Sequence, residues 1–72
     1  MIRIEHVEPL NASRSKFRPS GIGFYVLPEQ VTLIRPTRDP NVSEVRLQGG
    51  AVYFAGASPA ALEQALLDNA RR

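Results

Sequence analysis

A glycine pair, Gly49-Gly50, separates two runs of β-forming residues, and that punctuation restricts the C-terminal half of this chain to a hairpin. On one side stands Ser43-Glu44-Val45-Arg46-Leu47-Gln48, on the other Ala51-Val52-Tyr53-Phe54-Ala55. Glycine accepts the positive φ that a two-residue type I′ turn requires at both central positions. With Gly49-Gly50 as that turn, Val45 faces Phe54 and Leu47 faces Val52, all four on one side of the ribbon. Glu44, Arg46 and Gln48 then share the other side with Ala55, Tyr53 and Ala51. One register satisfies both strands, and a slip of one residue would ruin it.

The hairpin feeds a helix. Ser58 is an N-cap residue and Pro59 occupies the first helical position, where its missing N–H costs nothing. Leu62, Ala65, Leu66 and Asn69 recur at helical spacing, and Ala61 and Ala70 widen the face. Glu63 and the terminal Arg71-Arg72 suit the helix dipole, and Asp68 can pair with Arg72 at i,i+4. So narrow and alanine-rich a stripe lets the helix approach a sheet closely and cover one face of it.

Upstream, Ile2 and Ile4 alternate with Arg3 and Glu5, which predicts a strand over residues 2–8 ended by Pro9. Residues 11–21 read as a flexible, solvated basic loop with Phe17 as its anchor. Phe24-Tyr25-Val26-Leu27 is dense in β-formers and closed by Pro28; Val31, Leu33 and Ile34 form a further run closed by Pro36. Thr37-Arg38-Asp39-Pro40-Asn41 is a turn by composition. The expected architecture is α+β. It is one domain over residues 1–72, a small antiparallel sheet of about four strands with one C-terminal helix packed on one face.

Composition limits what such a domain can do. A chain of 72 residues without cysteine has neither a disulfide staple nor a thiolate metal site. It buries only ~60% of its unfolded surface, so self-association is expected to supplement the core. No apolar run approaches ~18 residues, and the N-terminal segment alternates and carries charge, so no membrane contact and a cytoplasmic location are expected. The net charge is +2, yet residues 1–38 hold six Arg and Lys against three acids.

The chemistry of the chain points away from catalysis. His6 is the only histidine, so no metal site and no Ser-His-Asp arrangement is expected, and no Gly-x-Ser-x-Gly turn occurs. Gly21-Ile22-Gly23 lacks the Lys-Ser/Thr of a phosphate loop, and a strand follows it instead of a helix. The carboxylates show no pairing suited to acid–base work. No enzyme and no cofactor are expected. Two surfaces remain. Arg14, Lys16, Phe17 and Arg18 set three cations around one aromatic, a pattern that can hold phosphates while the ring stacks on a base. The plainer alternative is a solvated loop whose Phe17 tucks onto the core. Tyr25, Arg46, Ala51, Tyr53 and Ala55 are expected on the sheet face opposite the helix. Such a half-apolar face suits burial against a protein, with Arg46 over Tyr53 as a cation–π pair if it stays uncovered.

In its order of elements the chain resembles the small flagellar FlbD/SwrD-type proteins. The likeness runs through an initial Met-Ile, Phe24-Tyr25-Val26-Leu27-Pro28 and Val31-Thr32-Leu33-Ile34. It continues through the Gly49-Gly50 turn, Tyr53-Phe54 and a final helix, about fifty residues in all. Asn11 to Gly23 is an insertion relative to that pattern, and the helix lacks its charge density. The resemblance implies a non-enzymatic accessory role through protein contacts. The functional expectation is therefore a small binding protein that works by protein–protein contact, homo-oligomeric, of the style of phage- or mobile-element-borne modulators of a host complex. The alternative is a nucleic-acid-binding module using residues 14–18.

Overall fold

The computed structural model describes residues 1–70. Its strands are β1 (Ile2–Pro9), β2 (Phe17–Val26), β3 (Val31–Pro36), β4 (Ser43–Leu47) and β5 (Val52–Ala55), followed by the helix α1 (Pro59–Ala70). A 3-10 turn, Pro28–Gln30, separates β2 from β3. All five strands are antiparallel, in the order β2-β1-β5-β4-β3. The fold is thus α+β, with five strands where about four were expected.

The extra strand length comes from the segment read as a loop. From Phe17 onward it is β2, because the long β1 offers it a ladder. Pro9 faces Phe17, Glu8 faces Arg18 and Val7 faces Pro19. Serine- and proline-rich composition argues against a strand locally, and pairing overrides it. The price appears as a bulge: opposite His6, three residues of β2 (Ser20, Gly21 and Ile22) take the place of one. Gly21 adopts φ +81° there. The Ser20 hydroxyl latches the bulge, donating to the His6 carbonyl at 3.1 Å and accepting the Ile22 N–H at 3.2 Å.

The β4–β5 register differs from the two-residue turn by one position. Val45 faces Tyr53 and Glu44 faces Phe54, so the loop is Gln48-Gly49-Gly50. It is closed by Leu47 N–H to the Ala51 carbonyl at 2.9 Å and Gly50 N–H to the Leu47 carbonyl at 3.1 Å. Both glycines keep positive φ, +90° and +93°, so the reason for glycine survives the change of turn. The shift turns Phe54 and Val52 outward and brings Tyr53 and Ala55 to the face of Val45. Space decides it. β5 meets β1 at Ala55, which faces His6 and is fully buried. That contact has no room for a phenylalanine ring, while Phe54 finds a place on the other face against Phe17, their centroids 5.2 Å apart.

Ile4, Val26, Val45, Ala55 and Leu62 form the core, extended by half-buried Phe24, Ile34 and Leu47. Ser43, on the same face, is buried with its hydroxyl donating to the Ala57 carbonyl at 2.7 Å. The helix begins as the sequence predicts. Ser58 Oγ accepts the Ala61 N–H at 3.2 Å, and Pro59 is the first helical residue. Leu62 is buried and Ala65, Leu66 and Asn69 half-buried, whereas Ala61 is exposed. Leu62 alone contributes roughly 1.5–3 kcal/mol by leaving water. The helix contacts β1, β3 and the 3-10 turn, so it lies across the sheet from its second strand to its last. The Ala70 side chain and the pairing expected of Arg71 and Arg72 lie outside the described residues.

Candidate functional site

Strand alternation sends Glu44, Arg46, Val52 and Phe54 to the face turned away from the core. Ladder pairing adds Arg35 opposite Glu44 and Leu33 opposite Arg46. Arg35, Glu44 and Phe54 therefore form one cross-strand row, with Leu33, Arg46 and Val52 as the next. Two loops border the first row. The β1–β2 loop contributes Ser13 and Arg14, and the segment after β3 contributes Thr37 and Arg38. Together with Pro36 these residues line an open cavity of about 310 Å³ with Phe54 in its wall. That volume is at the lower end of the range for small-molecule sites.

Both loops are braced by internal hydrogen bonds. Asn11 organises the first: its carbonyl accepts the Arg14 N–H at 3.2 Å and its Oδ1 the Ser15 N–H at 3.1 Å. Arg14 adopts φ +54° in this turn, the left-handed region that side-chain-bearing residues rarely use. Its guanidinium carbon lies over the Phe54 ring, 5.5 Å from the centroid. In the second loop the Thr37 hydroxyl lies 2.9 Å from the carbonyls of both Asp39 and Val42 and accepts the Asp39 N–H at 3.2 Å. The Asp39 carboxylate in turn accepts the Asn41 N–H at 2.9 Å. Arg38 thus rides on a closed turn.

Charge is distributed unevenly among the arginines. Arg3 is paired with Glu5, Arg18 with Glu8 at 3.3 Å, and Arg46 with Glu44 at 3.2 Å. The hydrogen bond that Arg3 donates to Glu5 holds its guanidinium further toward the charged form than usual. Among the described residues Arg14, Arg35 and Arg38 make no ion pair, and these three line the cavity. Glu44 is the single acid among the residues that line the cavity. An anion entering here meets three guanidinium groups not already neutralised by a carboxylate.

The residues singled out from the sequence are redistributed. Arg14 and Phe17 reach this site, Phe17 by packing on Phe54. Arg18 turns to Glu8, and Lys16 is exposed with its carbonyl bound to the Leu10 N–H at 2.8 Å. The expected protein-contact set is split by the register. Ala55 is fully buried in the core and cannot contact a partner. Tyr53 lies on the core face, its ring stacked on Phe24 at 4.8 Å, with His6 edge-on to both. Ala51, though exposed, continues that face, so Arg46 has Glu44 and not Tyr53 as its partner. Tyr25 stands apart on β2, 64% exposed.

Arg35, Arg38, Glu44 and Phe54 were not recognisable as a site from the sequence. One signal was present: Arg35 and Arg38 supply two of the six cations in residues 1–38, and Arg35 alternates with inward Ile34. Among the described residues no group of three or more His, Cys, Asp or Glu could hold a metal ion. No described helix is long and apolar enough to cross a membrane.

No protein-family model, curated protein or solved structure matches the chain, so these comparisons bear neither on its function nor on the resemblance to the small flagellar proteins.

Proposed function

We propose that this protein is a small binding module that takes single-stranded nucleic acid on its outer sheet face. One observation carries the reading: Arg14, Arg35 and Arg38, the cavity arginines without acidic partners, converge from three parts of the chain around Phe54. Guanidinium groups bind phosphate oxygens in bidentate fashion, and the half-buried Phe54 ring offers a base a face to stack on when Arg14 moves off it. Arg46, Leu33 and Val52 continue the same face beyond the cavity, which gives a strand somewhere to run. A duplex fits less well, since its bases are already stacked and unavailable to Phe54.

The test is a salt titration of binding to a fluorescent single strand, read by anisotropy. Affinity should fall steeply with salt, and the log–log slope should shrink by about 0.7 for each of Arg35→Ala and Arg38→Ala. Binding that ignores salt and both substitutions would rule the reading out.

A second reading, contact with a protein partner or a second copy of the chain, is favoured by a separate observation. β2 is an edge strand, and Ile22 and Tyr25 on it are each 64% exposed. An open edge bearing apolar side chains is a template for another strand.

A further inference from the structure

Glu44 is out of place in a site that only binds phosphate. Its side chain is 15% exposed, it lines the arginine cavity, and its charge repels the anion that Arg14, Arg35 and Arg38 attract. Among the described residues only its Oε2 is engaged, by Arg46 Nε at 3.2 Å. Glu44 is also the direct cross-strand partner of Phe54 on the same face. Such partners have Cβ atoms about 4.5–5.5 Å apart, so a planar group stacked on the ring brings its edge to the carboxylate.

Resting on the nucleic-acid reading above, we infer that Glu44 is a base-reading residue and that the cavity selects guanine within a single strand. A carboxylate only accepts hydrogen bonds, so it rewards a base edge that presents donors. Guanine presents two adjacent donors, N1–H and the N2 amino group, and can meet both carboxylate oxygens. Adenine and cytosine each offer one amino group, whereas thymine and uracil set carbonyl oxygens on either side of their single N–H. Arg14, now over the Phe54 ring, yields that position to the base and stacks on its outer side, as guanidinium planes do on bases. Arg35 and Arg38 then hold the adjoining phosphates.

The experiment compares a short deoxythymidine strand with the same strand carrying one central deoxyguanosine, for the wild-type chain and for Glu44→Gln. The expected result is about tenfold tighter binding of the guanine strand by the wild type. In Glu44→Gln the two affinities converge from both sides: the guanine strand binds more weakly, and the thymidine strand more tightly because a repulsive charge is gone. A carboxylate that merely orients Arg46 would move both affinities in one direction. Guanosine monophosphate should compete with the strand where thymidine monophosphate does not. Equal wild-type affinity for the two strands overturns base reading and leaves the phosphate-binding face intact; this arm needs no variant. No binding of either strand at low salt overturns the underlying reading, and guanosine monophosphate binding alone would overturn the strand in favour of a free nucleotide.

Discussion

Thr37 illustrates how one hydroxyl can set a surface proposed to bind. Its Oγ1 sits between the Asp39 and Val42 carbonyls and the Asp39 N–H, closing the turn that carries Arg38 beside the cavity. Thr37→Val keeps the shape and removes the hydroxyl. Stability should fall by about 1 kcal/mol in a urea titration, the net value of such a bond. Strand affinity should fall a few-fold with an unchanged salt slope, because Arg38 remains charged but is less well placed. An unchanged affinity would mean that Arg38 does not depend on the turn. Arg14 is a comparable case. Its left-handed backbone is fixed by Asn11, a residue whose short amide side chain supports tight turns, and the result is a cation held over an aromatic ring.

At the level of elements, the β4–β5 hairpin shows what alternation can and cannot decide. Both strands alternate cleanly, so a strand pair is certain from the pattern, yet two registers place apolar residues on a common face. In one, Phe54 and Val52 join Val45; in the structure, Tyr53 and Ala55 do. The two make opposite predictions for Ala55→Leu and Val52→Thr. With Ala55 buried where β5 meets β1, Ala55→Leu should destabilise by about 1–3 kcal/mol through overpacking. Val52→Thr, on a residue 44% exposed, should stay within about 0.5 kcal/mol. Urea denaturation of the pair decides, and the reverse order would restore the two-residue turn.

The whole molecule is elongated, 37 × 23 × 21 Å, and among the described residues only seven hydrophobic side chains are buried. A core that thin leaves apolar surface elsewhere, and edge strand β2 carries part of it. Light scattering over a concentration series should therefore show a mass that rises toward a dimer. Tyr25→Lys should hold the chain at monomer mass, since edge lysines block strand addition. A monomer at every concentration would leave Tyr25 and Ile22 for a different partner. The face proposed to bind a single strand and the β2 edge are different surfaces, so the Tyr25 variant should keep any affinity for the single strand.

What the sequence determined by itself is the set of local structures. Alternation specified β1 and both arms of the hairpin, the glycine pair specified a turn, and Ser58-Pro59 with the Leu62/Ala65/Leu66/Asn69 spacing specified the helix and its inward face. These follow from interactions within a few residues. Tertiary structure decided three further things: strand β2 over a loop-like segment, the hairpin register, and the union of Arg14, Arg35, Arg38, Glu44 and Phe54. Each depends on atoms far apart in the chain. β2 exists because β1 offers it a ladder, and the register holds because Ala55 fits against β1 where Phe54 would not. The cavity forms because that register turns Phe54 outward beneath Arg14. Periodicity reports which residues share a face, but not what lies across from it.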